Sequence, residues 1–155
     1  MIIGIVAVSE NNAIGKQGKL PWHYAADMKF FRETTTGHAV VMGRKTWVSL
    51  GKPLKNRLNI VLSRDSNIEP QESLVVLRDL DSVLSLNNSL QTDLFVIGGA
   101  QIYKEFIPHI ERWYVTEIPI NVEGADAFMP IDYLEGFKRV GTKKLEDLRV
   151  VTYER

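Results

Sequence analysis

A chain of 155 residues, 45% hydrophobic and 25% charged, has the composition of one globular domain and not of a disordered segment. Its 19 basic and 19 acidic residues cancel, which argues against a broad nucleic-acid or membrane surface and leaves anion binding to local basic clusters. With no cysteine, disulfides, thiolate nucleophiles and cysteine-ligated metals are excluded, and the cytoplasm is the default setting.

The first element, IIGIVAV (2–8), is a continuous β-branched run too short for a signal core or a membrane span, so it reads as a buried strand. SENNAIGKQGKLPWH (9–23) follows as the longest early loop, with Gly15 and Gly18 to let it move. Pro21 then introduces a helix over 24–35. Tyr24, Met28 and Phe31 form one stripe of that helix, and Asp27 falls inside the same arc, between Phe30 and Phe31 in projection. Lys29, Arg32 and Glu33 point elsewhere. A carboxylate there is either a first-turn residue complementing the helix dipole or the polar centre of an apolar pocket, and it can be both. The apolar neighbours favour the pocket, because a desolvated carboxylate costs several kcal/mol unless paired. A planar ligand with two N–H donors would pair it bidentately.

Further apolar runs at 39–42, 58–62, 73–77 and 93–98 alternate with helical stretches at 44–50, about 79–87, and 100–107 before Pro108. This alternation predicts an α/β fold built on a predominantly parallel twisted sheet with right-handed crossovers. After residue 110 the pattern changes: 112–118, 136–142 and 149–154 are strands without intervening helices, predicted to add antiparallel at one edge. About eight strands and four helices result, in a single domain spanning 1–155.

Ligands of open α/β sheets bind beyond the carboxyl ends of the strands. Three such ends carry informative residues: Gly43, Arg44, Lys45 and Thr46; Ser63 and Arg64; and Gly98 and Gly99. Glycines at helix starts admit a phosphate to unpaired N–H groups, and basic residues nearby suit a phosphorylated dinucleotide. Taken singly, Gly98-Gly99 fits a tight turn equally well, and Arg44 or Arg64 a solvated charge. No Rossmann fingerprint, P-loop or nucleophile elbow occurs, and His23, His38 and His109 lack metal-ligand spacing. Trp47 and Trp113 read as core.

Together, AIGKQGKLPWHYAADMKFF, VVMGRKTWVSLGKPLKNRLNIVLSR and FVIGGAQIY resemble the three signature regions of dihydrofolate reductase. YVTEI followed by VEGADAFMP extends the resemblance over essentially the whole chain, in order and near family spacing. It implies reduction of 7,8-dihydrofolate to tetrahydrofolate by NADPH, with hydride passing from nicotinamide C4 to pterin C6 and a proton to N5. It also implies binding of antifolates; a monomer is the default, since no exposed apolar patch that would make a dimer is visible in the sequence. By position, Asp27 corresponds to the single ionisable group of the pterin pocket, pairing with the 2-amino group and N3, with Thr116 and Trp22 beside it. The proton would then reach N5 through water.

The resemblance further assigns Ile5, Val6, Ala7, Met28, Phe31, Leu50 and Leu54 to the walls around the pterin and aminobenzoyl rings, joined by Ile97 and Tyr103. Arg57 matches the arginine that grips the glutamate α-carboxylate, assisted by Lys52. On the cofactor side, Ala7, Ile14 and Gly15 would approach the nicotinamide. Ile97, Gly98, Gly99, Ala100, Gln101, Ile102 and Tyr103 would face the pyrophosphate region, with the Gly98–Gly99 peptide cis. Gly43, Lys45, Thr46 and Leu62 would complete the site, and Arg44, Ser63 and Arg64 would hold the 2′-phosphate. The 15–23 loop matches the family's lid. Lys19 and His23 fall at variable positions without an assigned role, Leu58 replaces a commonly basic residue, and the register of EGADAFMP leaves Asp126 open. A pyrimidine reductase of riboflavin synthesis would share fold and NADPH but not Asp27 and Arg57. A nucleotide-binding module without catalysis would leave Asp27 unexplained.

Overall fold

The apolar runs form the middle of one sheet. In a computed structural model, which describes residues 1–65, 67–69 and 71–155, ten strands and four helices follow in chain order. They are β1 (Ile2–Ser9), β2 (Ala13–Gly15), α1 (Ala25–Thr35), β3 (Ala39–Gly43), α2 (Arg44–Leu50), β4 (Leu58–Leu62), β5 (Leu74–Leu77), α3 (Leu80–Ser89), β6 (Leu94–Val96), α4 (Ala100–Phe106), β7 (Arg112–Ile118), β8 (Ala127–Phe128), β9 (Lys138–Leu145) and β10 (Leu148–Glu154). The main sheet has eight strands in the order β5-β4-β3-β6-β1-β7-β10-β9. Pairing is parallel from β5 to β7 and antiparallel where β10 joins β7 and β9. This is the expected parallel sheet with an antiparallel C-terminal edge and four helices.

Side chains alternate across the strands, so the sheet has two apolar faces. Ile3 and Ile5 of β1, Val40 and Met42 of β3, Val61 of β4 and Phe95 of β6 share one cluster, against which Phe30 and Phe31 of α1 pack. Val6, Val8, Val41, Ile60, Leu94 and Val96 point the other way, into a cluster with Val83 of α3 and Ile102 and Phe106 of α4. Trp113 is completely buried in the second cluster, whereas Trp47 is half-buried against the first. A methyl group built on Gly4 would lie 2.4 Å from ring atoms Cε3 and Cζ3 of Trp113. Gly4→Ala is therefore expected to destabilise the fold by roughly 1–3 kcal/mol, the usual penalty of overpacking a close-packed core, read as a lowered urea midpoint at unchanged slope.

Several boundaries differ from the sequence reading, each for a local reason. The 9–23 segment is not all loop: β2 pairs with β8 in a separate two-stranded ribbon, Ala13 opposite Phe128 and Gly15 opposite Ala127. Elements of two or three residues leave no periodicity to read. The 93–98 run is strand only over Leu94–Val96, because the chain turns at Gly98 (φ 118°) into α4. Asp79 caps α3 by accepting a 2.8 Å bond at Oδ1 from the Ser82 amide, so that helix starts at Leu80. The last hairpin is shifted, with Gly136 (φ 83°) in the turn before β9 begins at Lys138. β9, carrying Lys138, Arg139, Lys143 and Lys144, is exposed along nearly its whole length and forms the sheet's open edge. Among the described residues, no helix is long and apolar enough to cross a membrane.

Candidate active site

Two groups of candidate residues lie toward the carboxyl ends of the parallel strands. On one side, the ends of β3 and β6 are joined directly, the Gly43 amide donating to the Gly98 carbonyl at 2.9 Å. A side chain at residue 43 would bring a Cβ to 2.9 Å from Ile102 Cγ1, so α4 approaches this strand end because Gly43 has none. The Gly98–Gly99 peptide is cis. In front of these glycines opens a cleft of about 1530 Å³ lined by Ile14, Gly15, Gly43, Arg44, Lys45, Thr46, Leu62, Ser63, Arg64, Gly99, Ala100, Gln101 and Ile102.

Arg44 Nη2 lies 3.2 Å from Asp65 Oδ2, and the Asp65 amide donates to Ser63 Oγ at 3.1 Å. Asp65 thus ties together Arg44 and Ser63, while Arg64 is exposed nearby. Arg78 lines the same cleft and was missed in the sequence. It directly follows β5, so the strand-end rule that drew attention to Ser63 and Arg64 identifies it too. Glycine-backed amides with Arg44, Lys45, Arg64 and Arg78 around an elongated groove fit a phosphorylated dinucleotide, whose phosphates require close backbone approach and positive charge.

The opposite rim is the segment after β1. Lys16 and Lys19 exchange backbone bonds of 2.9 and 3.1 Å, making a small hairpin that is strapped to the chain around residue 126. The Gln17 amide donates to both Asp126 oxygens, at 3.2 and 3.0 Å; the Asp126 amide donates to the Gly15 carbonyl at 3.3 Å; and Lys16 Nζ donates to the Glu123 carbonyl at 3.0 Å. Asp126, left open by the sequence, is the residue that holds this hairpin. Lys19 and His23 are exposed.

On the other side stands Asp27, in the first turn of α1 and partly buried. Its Oδ1 accepts a 2.7 Å bond from Thr116 Oγ1. Thr116 is buried on β7 in register with Ala7 of β1, which brings the three residues to one strand end. Burial pushes the Asp27 carboxyl above its ordinary value, and the Thr116 bond opposes the shift. Trp22 Nε1 is shielded from solvent and has no acceptor among the described residues. An unmet buried donor costs about 1–3 kcal/mol, which a ligand or its bound solvent can relieve.

Ile5, Phe31, Leu54 and Ile97 pack within one apolar cluster on the Asp27 side of the sheet. Met28, 52% exposed, and Leu50, 37% exposed, flank it as open apolar surface. Two expected wall residues are placed differently. Val6 neighbours Ile5 in the strand, so its side chain points to the opposite face and packs with Ile14 and Tyr103. Tyr103 is buried there and its hydroxyl donates to the Ile5 carbonyl at 2.7 Å, so it braces the main chain of β1. Burial, and then the charge of Asp27, hold that phenol in its neutral form. Farther out, Arg57 donates from Nε to the Lys55 carbonyl and from Nη1 to Thr35 Oγ1, both at 2.9 Å. Lys52 stands exposed just past α2.

The family model for dihydrofolate reductase matches residues 1–155. Dihydrofolate reductase of Bacillus subtilis is 42% identical over 132 residues, 85% of this chain and 77% of the relative, and that of Haemophilus influenzae is 39% identical over 126 residues, 81% and 76%. In structure, dihydrofolate reductase from Enterococcus faecalis complexed with NADP(H) and RAB-propyl superimposes with a TM-score of 0.91 at 32% identity, covering 100% of this chain and 96% of that one.

Proposed function

The chain belongs to the dihydrofolate reductase family, and on that premise we propose that it reduces 7,8-dihydrofolate to 5,6,7,8-tetrahydrofolate with NADPH, as a single cytoplasmic domain acting as a monomer and open to antifolates. The observation that carries this reading is Asp27, a partly buried carboxylate held by Thr116 at the edge of an apolar wall and near a glycine- and arginine-lined cleft.

NADPH, when bound, supplies the hydride that passes from nicotinamide C4 to pterin C6. The chain's own residues position and protect that event. Arg44, Ser63 and Arg64 hold the 2′-phosphate, and Gly43, Lys45, Thr46 and Leu62 with the run from Gly98 to Ile102 form the cradle for the rest of the dinucleotide. Ala7, Ile14 and Gly15 border the reacting ring, and the hairpin strapped by Asp126 excludes water from it. Asp27 pairs through its two oxygens with the 2-amino group and N3 of the pterin, while Thr116 fixes the carboxylate plane. From that distance its negative charge favours a proton on N5, which water delivers. Ile5, Met28, Phe31, Leu50, Leu54 and Ile97 enclose the rings.

Arg57 binds the α-carboxylate of the glutamate tail, with Lys52 assisting. Of the five N–H groups of a guanidinium, Lys55 and Thr35 engage two among the described residues, which leaves the Nη2 edge for the ligand. Arg57→Ala is expected to raise KM for dihydrofolate roughly 10- to 100-fold, the worth of a charge-assisted pair, with a smaller change in kcat, checked by steady-state kinetics.

The activity is tested by following NADPH absorbance with dihydrofolate and with the pyrimidine substrate of riboflavin synthesis in parallel. Oxidation with dihydrofolate alone is expected. Turnover of the pyrimidine alone would move the chain to that second reading.

A further inference from the structure

We propose that Asn59 is a positioning residue for recognition of the substrate's tail, acting through the main chain of residues 54–57. The inference rests on the assignment of the tail carboxylate to Arg57. Asn59 is completely buried on β4, a polar side chain within an otherwise apolar strand, LNIVL. Such a group persists only when its hydrogen bonds are met, and Asn59 spends all of them on one loop. Its Oδ1 accepts from the Leu54 amide at 2.9 Å; its Nδ2 donates to the Leu54 carbonyl at 2.9 Å and to the Arg57 carbonyl at 3.0 Å.

The consequence is a clamp on both ends of the segment that leads from the apolar wall to the guanidinium. Leu54 belongs to the cluster of Ile5 and Phe31, and Arg57 carries the free Nη2 edge. Between them Asn56 is held at φ 59°, and its carbonyl accepts from the Gly37 amide at 2.8 Å. The loop therefore has one shape, set from beneath by a residue that touches no ligand. Strand β4 gives the clamp a rigid base, since it pairs on one side with β3 and on the other with β5. A carboxylate grip needs the guanidinium fork placed within a fraction of an ångström. Without Asn59, the Leu54 and Arg57 carbonyls are free to turn to solvent, and the fork moves with them.

The test compares KM for dihydrofolate with KM for a dihydropterin that lacks the aminobenzoyl-glutamate tail, in the parent, Asn59→Ala, Arg57→Ala and the double variant. KM is independent of how much protein is folded, so partial unfolding of Asn59→Ala lowers the apparent kcat and leaves the ratio of the two constants interpretable. Asn59→Ser, whose small hydroxyl can retain at most part of the bonding at that buried site, serves if the alanine variant does not fold. Asn59→Ala is expected to shrink the preference for the tailed substrate by roughly tenfold, the worth of the buried bonds it removes. Adding it to Arg57→Ala produces little further loss, since both act on one interaction. Equal rises in both KM values, or a full additional loss in the double variant, overturn the proposal. If Arg57→Ala itself leaves the preference intact, the assignment of the tail to Arg57 fails, and the route through it fails for that separate reason.

Discussion

Asp27→Asn will keep the fold and turn over dihydrofolate about 10²- to 10⁴-fold more slowly than the parent near neutral pH, the range that removal of a positioned acid–base group produces. The substitution is nearly isosteric, and the amide oxygen still accepts from Thr116, whose hydroxyl sits 2.7 Å from Oδ1 in the parent. What disappears is the charge, and with it both the bidentate pairing to two N–H donors and the field that favours a proton on N5. Activity should fall as the pH rises in both proteins, with the fall setting in at lower pH in the variant, where N5 must take its proton unaided.

The same substitution is expected to raise stability while it lowers turnover. Burial raises the Asp27 carboxyl above its ordinary 3.8 in the folded chain. Between 3.8 and that raised value the native state holds a proton that the unfolded chain has released, so stability declines as the pH climbs through this window. Asparagine has no such decline. The variant is therefore expected to match the parent in very acidic buffer and to exceed it in denaturant midpoint at neutral pH. Parental turnover by Asp27→Asn at pH 7 would remove this residue from the mechanism altogether.

Arg44→Ala/Arg64→Ala will lose most of the preference for NADPH over NADH. Each charge-assisted bond to the 2′-phosphate contributes roughly 1.5–3 kcal/mol, so removing two narrows the kcat/KM ratio about 10²- to 10⁴-fold. The loss should lie in NADPH and not in NADH, which carries no phosphate there. Arg44 also pairs with Asp65 at 3.2 Å, and in its absence that carboxylate is left beside the proposed phosphate site. The single Arg44→Ala variant should for that reason weaken NADPH more than Arg64→Ala does. Kinetics with both cofactors in all three variants decide this; an undiminished preference in the double variant would place the 2′-phosphate elsewhere along the cleft.

How far the sequence could be read depended on how many residues carried each signal. The central strands were plain because burial on both faces demands unbroken β-branched runs, as in β1 and β3. The β2–β8 ribbon was invisible, being too short for any pattern, and its partners lie more than a hundred residues apart. Asp27 could be seen because helical projection sets it among Phe30 and Phe31. Val6 could have been separated from Ile5 by the same alternation that defines a strand, yet the resemblance placed both in one wall. Asp126 could not be resolved, since its meaning comes from the Gln17 amide and no local spacing encodes that bond. Asn59 was passed over within the apolar run LNIVL, and what it clamps required three dimensions.

The cationic border formed by β9 has a consequence for crowding. A sheet that ends on bare main-chain donors and acceptors invites a neighbour to extend it. Here a second copy arriving edge to edge would bring Lys138, Arg139, Lys143 and Lys144 against the same four side chains. Mutual repulsion along that seam would oppose such pairing, and raising the salt, by screening it, is expected to favour it.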